Sequence, residues 1–364
     1  MKITHIEAIL IRMALKLDGA QPMASGEVKR DTYTVMVRVD TDDGLSGFGE
    51  AFANTGWMAT HAAIKHVIAP RCIGRDPTQI PDLMHSLYRG LFNCGRSGPI
   101  VFAMSAIDIA LWDLAGKRAG LPLYRMLGGS ARSSIPAYAS LLRYGESAAV
   151  NQHLRQALDR GYRLIKLHES NPDIIRAARR EAGPDVPIMV DCVCAWQLEE
   201  AIAMSRRLAD LNLTWIEEPL YPPDDHAGLV RLRSVSSIPV AAGENVSNLF
   251  EFKRLFEAGA LSYAQPSVTK VGGISELRKI FALAESFAVP VVPHSPYFGP
   301  GFLASVHVCA ASTRQTWIER SYCAFEDNPF GDAMHPKNGE IMIPQGSGLG
   351  LDPDMQLVEK LRVA

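Results

Sequence analysis

From about Ile135 to Ser321 the chain repeats one pattern: a short apolar run, then a longer stretch in which Leu, Ile, Met and Phe recur every three or four positions. The apolar runs are IPAYAS, RLIKLH, PIMVDC, TWIEEP, PVAAGE, LSYAQPS, VPVVPHS and TWIERS. The stretches between them, such as LEEAIAMSRRLADLN and LFEFKRLFEAGA, have the spacing of amphipathic helices, and several end at Gly or Asn. Eight such strand–helix units predict a TIM-type barrel, whose site is assembled at the C-terminal ends of its strands.

The first 125 residues follow a different pattern. Ile3, Ile6, Ala8 and Leu10 open it, and in TYTVMVRVDTDDG the residues Tyr33, Val35, Val37 and Val39 alternate with Thr34, Met36 and Arg38 before a D-D-G turn. This predicts an antiparallel sheet. Gly19 to Arg30, with Pro22, Ser25 and Gly26 and no periodicity, reads as a mobile loop. From Asn54 to about Gly120 the spacing is helical, most clearly in SAIDIALWDLAGKRAG, where Ile107, Ala110, Leu111 and Leu114 share a face and Gly120 can end the helix. On this reading Asp108 and Asp113 are surface charges. Gly47-Phe48-Gly49-Glu50 has no third glycine and no preceding strand-turn-helix unit, so it is not a dinucleotide fingerprint.

The barrel pattern turns attention to its strand ends. These carry Lys166 and His168 on the second strand, Asp191, Glu217 and Glu244 on the third to fifth, Ser267 on the sixth, His294 on the seventh and Glu319 on the eighth. The three acids lie 26 and 27 residues apart, so each repeats the same structural position. A single acid at such a junction often only caps the next helix, but three in register converge on one point. They would repel one another without a cation, and hard oxygen donors on rigid strands favour Mg2+ over zinc or copper. Spacing does not decide whether Glu217 or Glu218 faces inward. Lys166 and His168, two apart on a strand, share one side of it. A Lys at position 168 would have to fall from about 10.4 to about 7 to be a neutral base, a cost of roughly 4 kcal/mol, whereas a His starts near 6.5. Lys166 beside it is expected to lower it further.

Composition narrows the partners. A chain of 364 residues holds a barrel and a smaller domain, and 47% apolar with 21% charged residues is ordinary for a globular protein. The net charge of -2 and the lack of a Lys/Arg run argue against nucleic acid and membrane partners. Six scattered cysteines read as reduced thiols, and MKITHIEAILIRMALKL, interrupted by His5, Glu7, Arg12 and Lys16, is neither a signal peptide nor a membrane span. The expected location is the cytoplasm.

Taken together, GFGEA, AIDIALWDLAGKRAGLPLYRMLGG, WIEEP, GEN, KVGGISE and the closing IPQGSGLGLD resemble the enolase superfamily, in its mandelate racemase and muconate lactonizing enzyme group, over essentially the whole chain. The resemblance implies an α/β fold: a modified TIM barrel, (β/α)7β, over residues 126–330, an α+β N-terminal capping domain over 1–125, and a C-terminal segment, 331–364, that completes the cap. It implies that Asp191, Glu217 and Glu244 hold Mg2+. Lys166 and His168 take the two positions of the family's K-x-K, His294 matches its catalytic histidine, and Glu319 matches the acid that meets the substrate carboxylate. The loop 19–30 and the segment near Glu50 would close over the substrate, with Ser25, Tyr138 and Ser267 as candidate substrate contacts.

Two positions depart from the family pattern. Ser267 stands where an Asp that orients the histidine, or a Lys, is expected, and Val193 where an Asn is frequent. His294 is therefore expected to lack the carboxylate that would fix its tautomer and strengthen it as a base. The chemistry implied is abstraction of the proton α to a carboxylate, with a Lys or His base and Mg2+ supporting the enolate, a pairing known for this superfamily. Dehydration of a sugar acid to a 2-keto-3-deoxy acid is preferred over racemisation or epimerisation of a 2-hydroxy or amino acid derivative, which needs two competent opposed bases. Cycloisomerases and dipeptide epimerases carry Lys on the second and sixth strands, so Ser267 argues against them. A reading of another class is a metal-binding barrel that has lost catalysis, supported by Ser267 and Val193. The expected partner is a small carboxylic acid, and the family resemblance implies a homo-oligomer, a dimer or octamer.

Overall fold

The alternating residues of the N-terminal block form a three-stranded antiparallel sheet. In chain order its region holds β1 (Ile3–Ala14), the two-residue strands β2 (Met23–Ala24) and β3 (Glu27–Val28), β4 (Asp31–Thr41) and β5 (Ser46–Ala51), with β4 central between β1 and β5. The computed structural model describes residues 1–364 except 17–21, 25, 26, 315 and 364, and omits the side chains of 23 and 24. Part of the expected loop is thus a short hairpin, β2 against β3; Ser25 lies outside the described residues.

Both faces of the three-stranded sheet are buried. Leu10, Val35, Val37 and Val39 pack on the helices of the cap. Ile9, Ile11, Met13 and Met36 point the other way into the core shared with the barrel. The two sets alternate along the strands, as a pleated sheet requires, so one sheet glues the cap's helices to the barrel. The helix Pro99–Ala119 lies so close to β5 that a Cβ on Gly49 would overlap the Ala106 carbonyl oxygen. Gly120, left-handed at φ 65°, ends it.

That helix is apolar around most of its circumference, and this overturns the expectation that its acids are surface charges. Asp108 and Asp113 are fully buried. Asp113 accepts from the backbone N–H of Phe48 (2.9 Å) and Leu349 (2.8 Å), and Lys117 neutralises it at 2.8 Å. Asp108 accepts from Ser275 N–H at 2.9 Å, at the start of the barrel helix Gly273–Ser286. Each acid satisfies orphan donors of a neighbouring element, which is why it tolerates burial. The same helix is the one among the described residues long and apolar enough to cross a membrane, and its surroundings are protein core.

The barrel strands are β6 (Ser134–Leu141), β7 (Ile165–Leu167), β8 (Ile188–Asp191), β9 (Trp215–Glu217), β10 (Val240–Ala242), β11 (Tyr263–Ala264) and β12 (Ile318–Tyr322). They run parallel in the order β11-β10-β9-β8-β7-β6-β12. The predicted run VPVVPHS does not form a full strand. It bonds to β11 through Ala264 N–H to Pro290 O and Val292 N–H to Ala264 O, both 2.9 Å. Pro290 and Pro293 have no N–H to offer β12, and a side chain bridges there instead, Thr316 Oγ1 to Val291 O at 2.6 Å. After β12 the chain makes no eighth barrel helix. It forms β13 (Glu340–Met342), antiparallel to the start of β6, then returns to the cap, where Val363 N–H meets Leu10 O at 2.9 Å. The fold is the modified TIM barrel with its antiparallel-sheet cap.

Candidate active site

Asp191 and Glu217 are the last residues of β8 and β9 and face each other across the ladder. Glu244 follows β10 after Gly243, whose φ of 132° and close approach to the Phe252 ring suit glycine alone. One carboxylate oxygen from each of the three lies within 4.8 Å of the others. The choice between neighbouring glutamates is settled by a backbone twist at Glu218, where φ is 41°. Glu218 turns aside, accepts from Gly243 N–H at 2.9 Å and meets the Cys194 thiol at 3.8 Å.

Lys166, fully buried, reaches into this cluster. Its Nζ lies 2.7 Å from Glu217 Oε1, 2.7 Å from Glu319 Oε1 and 3.3 Å from Asp191 Oδ2. Glu319 is fixed further by Ser140 Oγ at 2.8 Å and Ser295 N–H at 3.0 Å. His168 stands on the same side of its strand as Lys166, with Nε2 3.2 Å from Asp191 Oδ2. Its Nδ1 lies 2.6 Å from the Leu141 carbonyl oxygen. A carbonyl only accepts, so Nδ1 carries a proton, and in the neutral ring Nε2 presents its lone pair to the site. At the other end of the cluster His294 Nε2 lies 2.9 Å from Glu244 Oε2.

Lys166 thus meets three of the four carboxylates, Asp191, Glu217 and Glu319, while Glu244 is met by His294 and feels Lys270 at longer range. Burial opposes every one of these charges. It pushes the Glu217 carboxyl well above its usual range, with Asp191 and Glu319 adding to the rise. For Asp191 and Glu319 burial is outweighed by Lys166, which pulls both down, and for Glu244 it is outweighed by His294, which brings it to about 2. Burial would also deprotonate Lys166, but Glu217 and Glu319 hold it charged. Three hard oxygen donors with surplus negative charge fit a divalent cation of the magnesium type. His168 departs from expectation: burial and Lys166 lower it, yet Asp191 more than offsets them and the net shift is upward.

Other expected residues fall elsewhere. Tyr138 fills the barrel interior under Lys166, its ring centroid 5.8 Å from Nζ and edge-on to Trp215, rather than opening to the mouth. Ser267 is fully buried against the hydroxyls of Tyr297 and Thr269. His294 is not left without a partner on its second nitrogen, because the Tyr297 hydroxyl lies 3.2 Å from Nδ1. Tyr297 was not among the candidate site residues read from the sequence; the signal for it was Ser267, which leaves that nitrogen of His294 to be faced by something else. Between the cap sheet and the strand ends lies a cavity of about 120 Å³ lined by Thr34, Glu50, Phe52, Tyr297, Phe298 and Ser321. Glu50 there accepts from Gly301 N–H at 2.8 Å, and burial raises its carboxyl to about 7.

An antiparallel cap on a seven-helix barrel, with acids closing three successive strands, defines the enolase superfamily, and the chain belongs to it. Residues 149–357 match the family described as enolase C-terminal domain-like, and residues 5–128 match the mandelate racemase / muconate lactonizing enzyme N-terminal domain. Among its relatives, D-galactarolactone cycloisomerase of Agrobacterium fabrum is 31% identical over 382 residues, spanning 100% of this chain and 99% of that one. Arabinonate dehydratase of Saccharolobus solfataricus is 31% identical, covering 87% of each chain. A racemase from Streptomyces coelicolor, solved with bound magnesium, superposes with a TM-score of 0.88 at 28% identity, over 99% of this chain and 100% of that one. Relatives named as a cycloisomerase and as a dehydratase thus match the chain at the same identity.

Proposed function

We propose that the chain is a Mg2+-dependent sugar-acid dehydratase, removing the proton α to a carboxylate and the hydroxyl on the next carbon. The observation that carries this reading is the placement of two imidazoles at opposite ends of one carboxylate cluster, His168 Nε2 at Asp191 and His294 Nε2 at Glu244. A base at one end and an acid at the other is what elimination of water requires.

Asp191, Glu217 and Glu244 would hold the ion, which when bound supplies electrophilic support for negative charge on the substrate carboxylate. His168, oriented by the Leu141 carbonyl, takes the α proton through Nε2. Lys166, locked in its charged form by Glu217 and Glu319, places a fixed positive charge beside the developing enolate. His294 delivers a proton to the departing β-hydroxyl, so water leaves, and the resulting enol tautomerises to a 2-keto-3-deoxy acid. The Tyr297 hydroxyl faces His294 at Nδ1, which leaves Nε2 turned toward the carboxylate cluster.

The similarity to a lactone cycloisomerase supports a second reading, in which the same α-proton chemistry ends in isomerisation. Incubating the protein with Mg2+ in D2O and a panel of sugar acids, sugar lactones and 2-hydroxy acids, followed by NMR, separates them. A 2-keto-3-deoxy product is expected. Deuterium at the α carbon without loss of water would point to racemisation or epimerisation, and a rearranged lactone to cycloisomerisation. Bound Mg2+ with no acid altered would favour the metal-binding barrel without catalysis.

A further inference from the structure

The vacancy at Ser267 is filled by a chain of hydroxyls. The Tyr297 hydroxyl lies 3.2 Å from His294 Nδ1, and the two rings meet edge-on at 82°. That hydroxyl is held in turn by Ser267 Oγ, which lies 3.3 Å from Thr269 Oγ1. All four residues are buried. The backbone of Tyr297 is pinned as well: its carbonyl accepts from Arg320 Nη1 at 2.9 Å. Arg320 is itself fully buried against the rings of Phe298 and Phe302, 4.8 and 4.9 Å from their centroids. The backbone that carries the phenol is therefore anchored by a buried arginine, and the hydroxyl itself is held by Ser267.

We propose that Tyr297, held by Ser267, is the residue that positions His294 in this chain. A carboxylate can only accept a hydrogen bond, whereas a phenol accepts from Nδ1–H or donates to a bare Nδ1. Tyr297 thus keeps the ring in one orientation in either state, with Nε2 aimed at the site, and adds no negative charge. Ser267 completes the arrangement because a hydroxyl accepts from Tyr297 in one state and donates to it in the other. The catalytic half of this inference rests on the proposed elimination; the pairing itself does not.

Tyr297→Phe keeps the ring and removes the hydroxyl, and Ser267→Ala removes the next link. In Mg2+-loaded protein labelled with ¹⁵N-histidine, the His294 signals, identified by their loss in His294→Asn, should show Nδ1 shifting in Tyr297→Phe and, by less, in Ser267→Ala. With a turned-over acid, Tyr297→Phe should lower kcat about 10- to 100-fold, since positioned acid–base groups supply about 10²–10⁴, while KM stays within about threefold. An unmoved Nδ1 signal overturns the pairing whether or not any acid is turned over, so its failure is distinct from failure of the dehydratase reading. A moved signal with unchanged kcat overturns the positioning role.

Discussion

Lys166→Met tests the charge balance of the site most directly. Methionine has nearly the same length and packs in an apolar barrel, so the change removes the ammonium with little loss of volume. It leaves Glu217, Glu319 and Asp191 facing one another without the cation now 2.7, 2.7 and 3.3 Å away. Removing one partner of a buried pair costs about 3–5 kcal/mol, and the three contacts share a network, so they do not add. An unfolding entropy of about 2.1 cal/mol/K per residue over 364 residues makes this a fall in Tm of about 4–7 °C. The sign with pH follows from the shifts. Lys166 depresses Asp191 and Glu319 in the wild type, a contribution present above their unfolded pKa values and lost in acid. Without it, Glu217, already raised by burial in the wild type, loses the cation that opposes that rise, so the variant binds more protons in its folded state than the wild type and loses stability more steeply as pH rises. The gap between wild type and variant should therefore widen between about pH 5 and pH 8 in calorimetry with EDTA present. Mg2+ at about 100 times its Kd should restore about 2.7 kcal/mol by mass action. A variant within about 1 °C of wild type at the higher pH, or a gap that narrows as pH rises, would refute the charge argument.

Two further changes separate metal binding from proton transfer. Asp191→Asn should weaken Mg2+ binding by about tenfold or more, roughly 1.4 kcal/mol, in isothermal titration; an unchanged Kd would take Asp191 out of the ligand set. His168→Ala should slow α-proton exchange in D2O by about 10²-fold or more while leaving the Mg2+ Kd within about twofold; a variant that still exchanges the proton would remove His168 from the base role.

The repeat of apolar runs was enough to read the barrel and to place Asp191, Glu244 and one of Glu217 and Glu218 at the ends of neighbouring strands, because both depend on local patterns that recur at a fixed interval. What escaped the sequence depended on contacts between distant segments. Asp108 and Asp113 look like solvated charges on a helical face, and only the arrival of Ser275, Phe48 and Leu349 N–H groups at their carboxylates makes burial affordable. The inward glutamate of Glu217-Glu218 was decided by backbone twist, which spacing does not encode. The rise in His168 also follows from distance rather than identity. Lys166 is its neighbour in sequence, but Asp191 lies 3.2 Å from its ring and outweighs that lysine.

Asp191 holds two side chains at once, His168 at 3.2 Å and Lys166 at 3.3 Å. The carboxylate that lifts His168 is also a proposed ligand of the ion, so one oxygen donor serves two cations of different kinds. Nδ1 is committed to the Leu141 carbonyl whether the ring is charged or neutral, so the proton that leaves must come from Nε2, the nitrogen facing the site. The geometry thus leaves His168 one nitrogen for proton exchange with the site, and sets Asp191 beside it. A Lys at position 168 would need to shed about 4 kcal/mol of proton affinity to be a neutral base at pH 7.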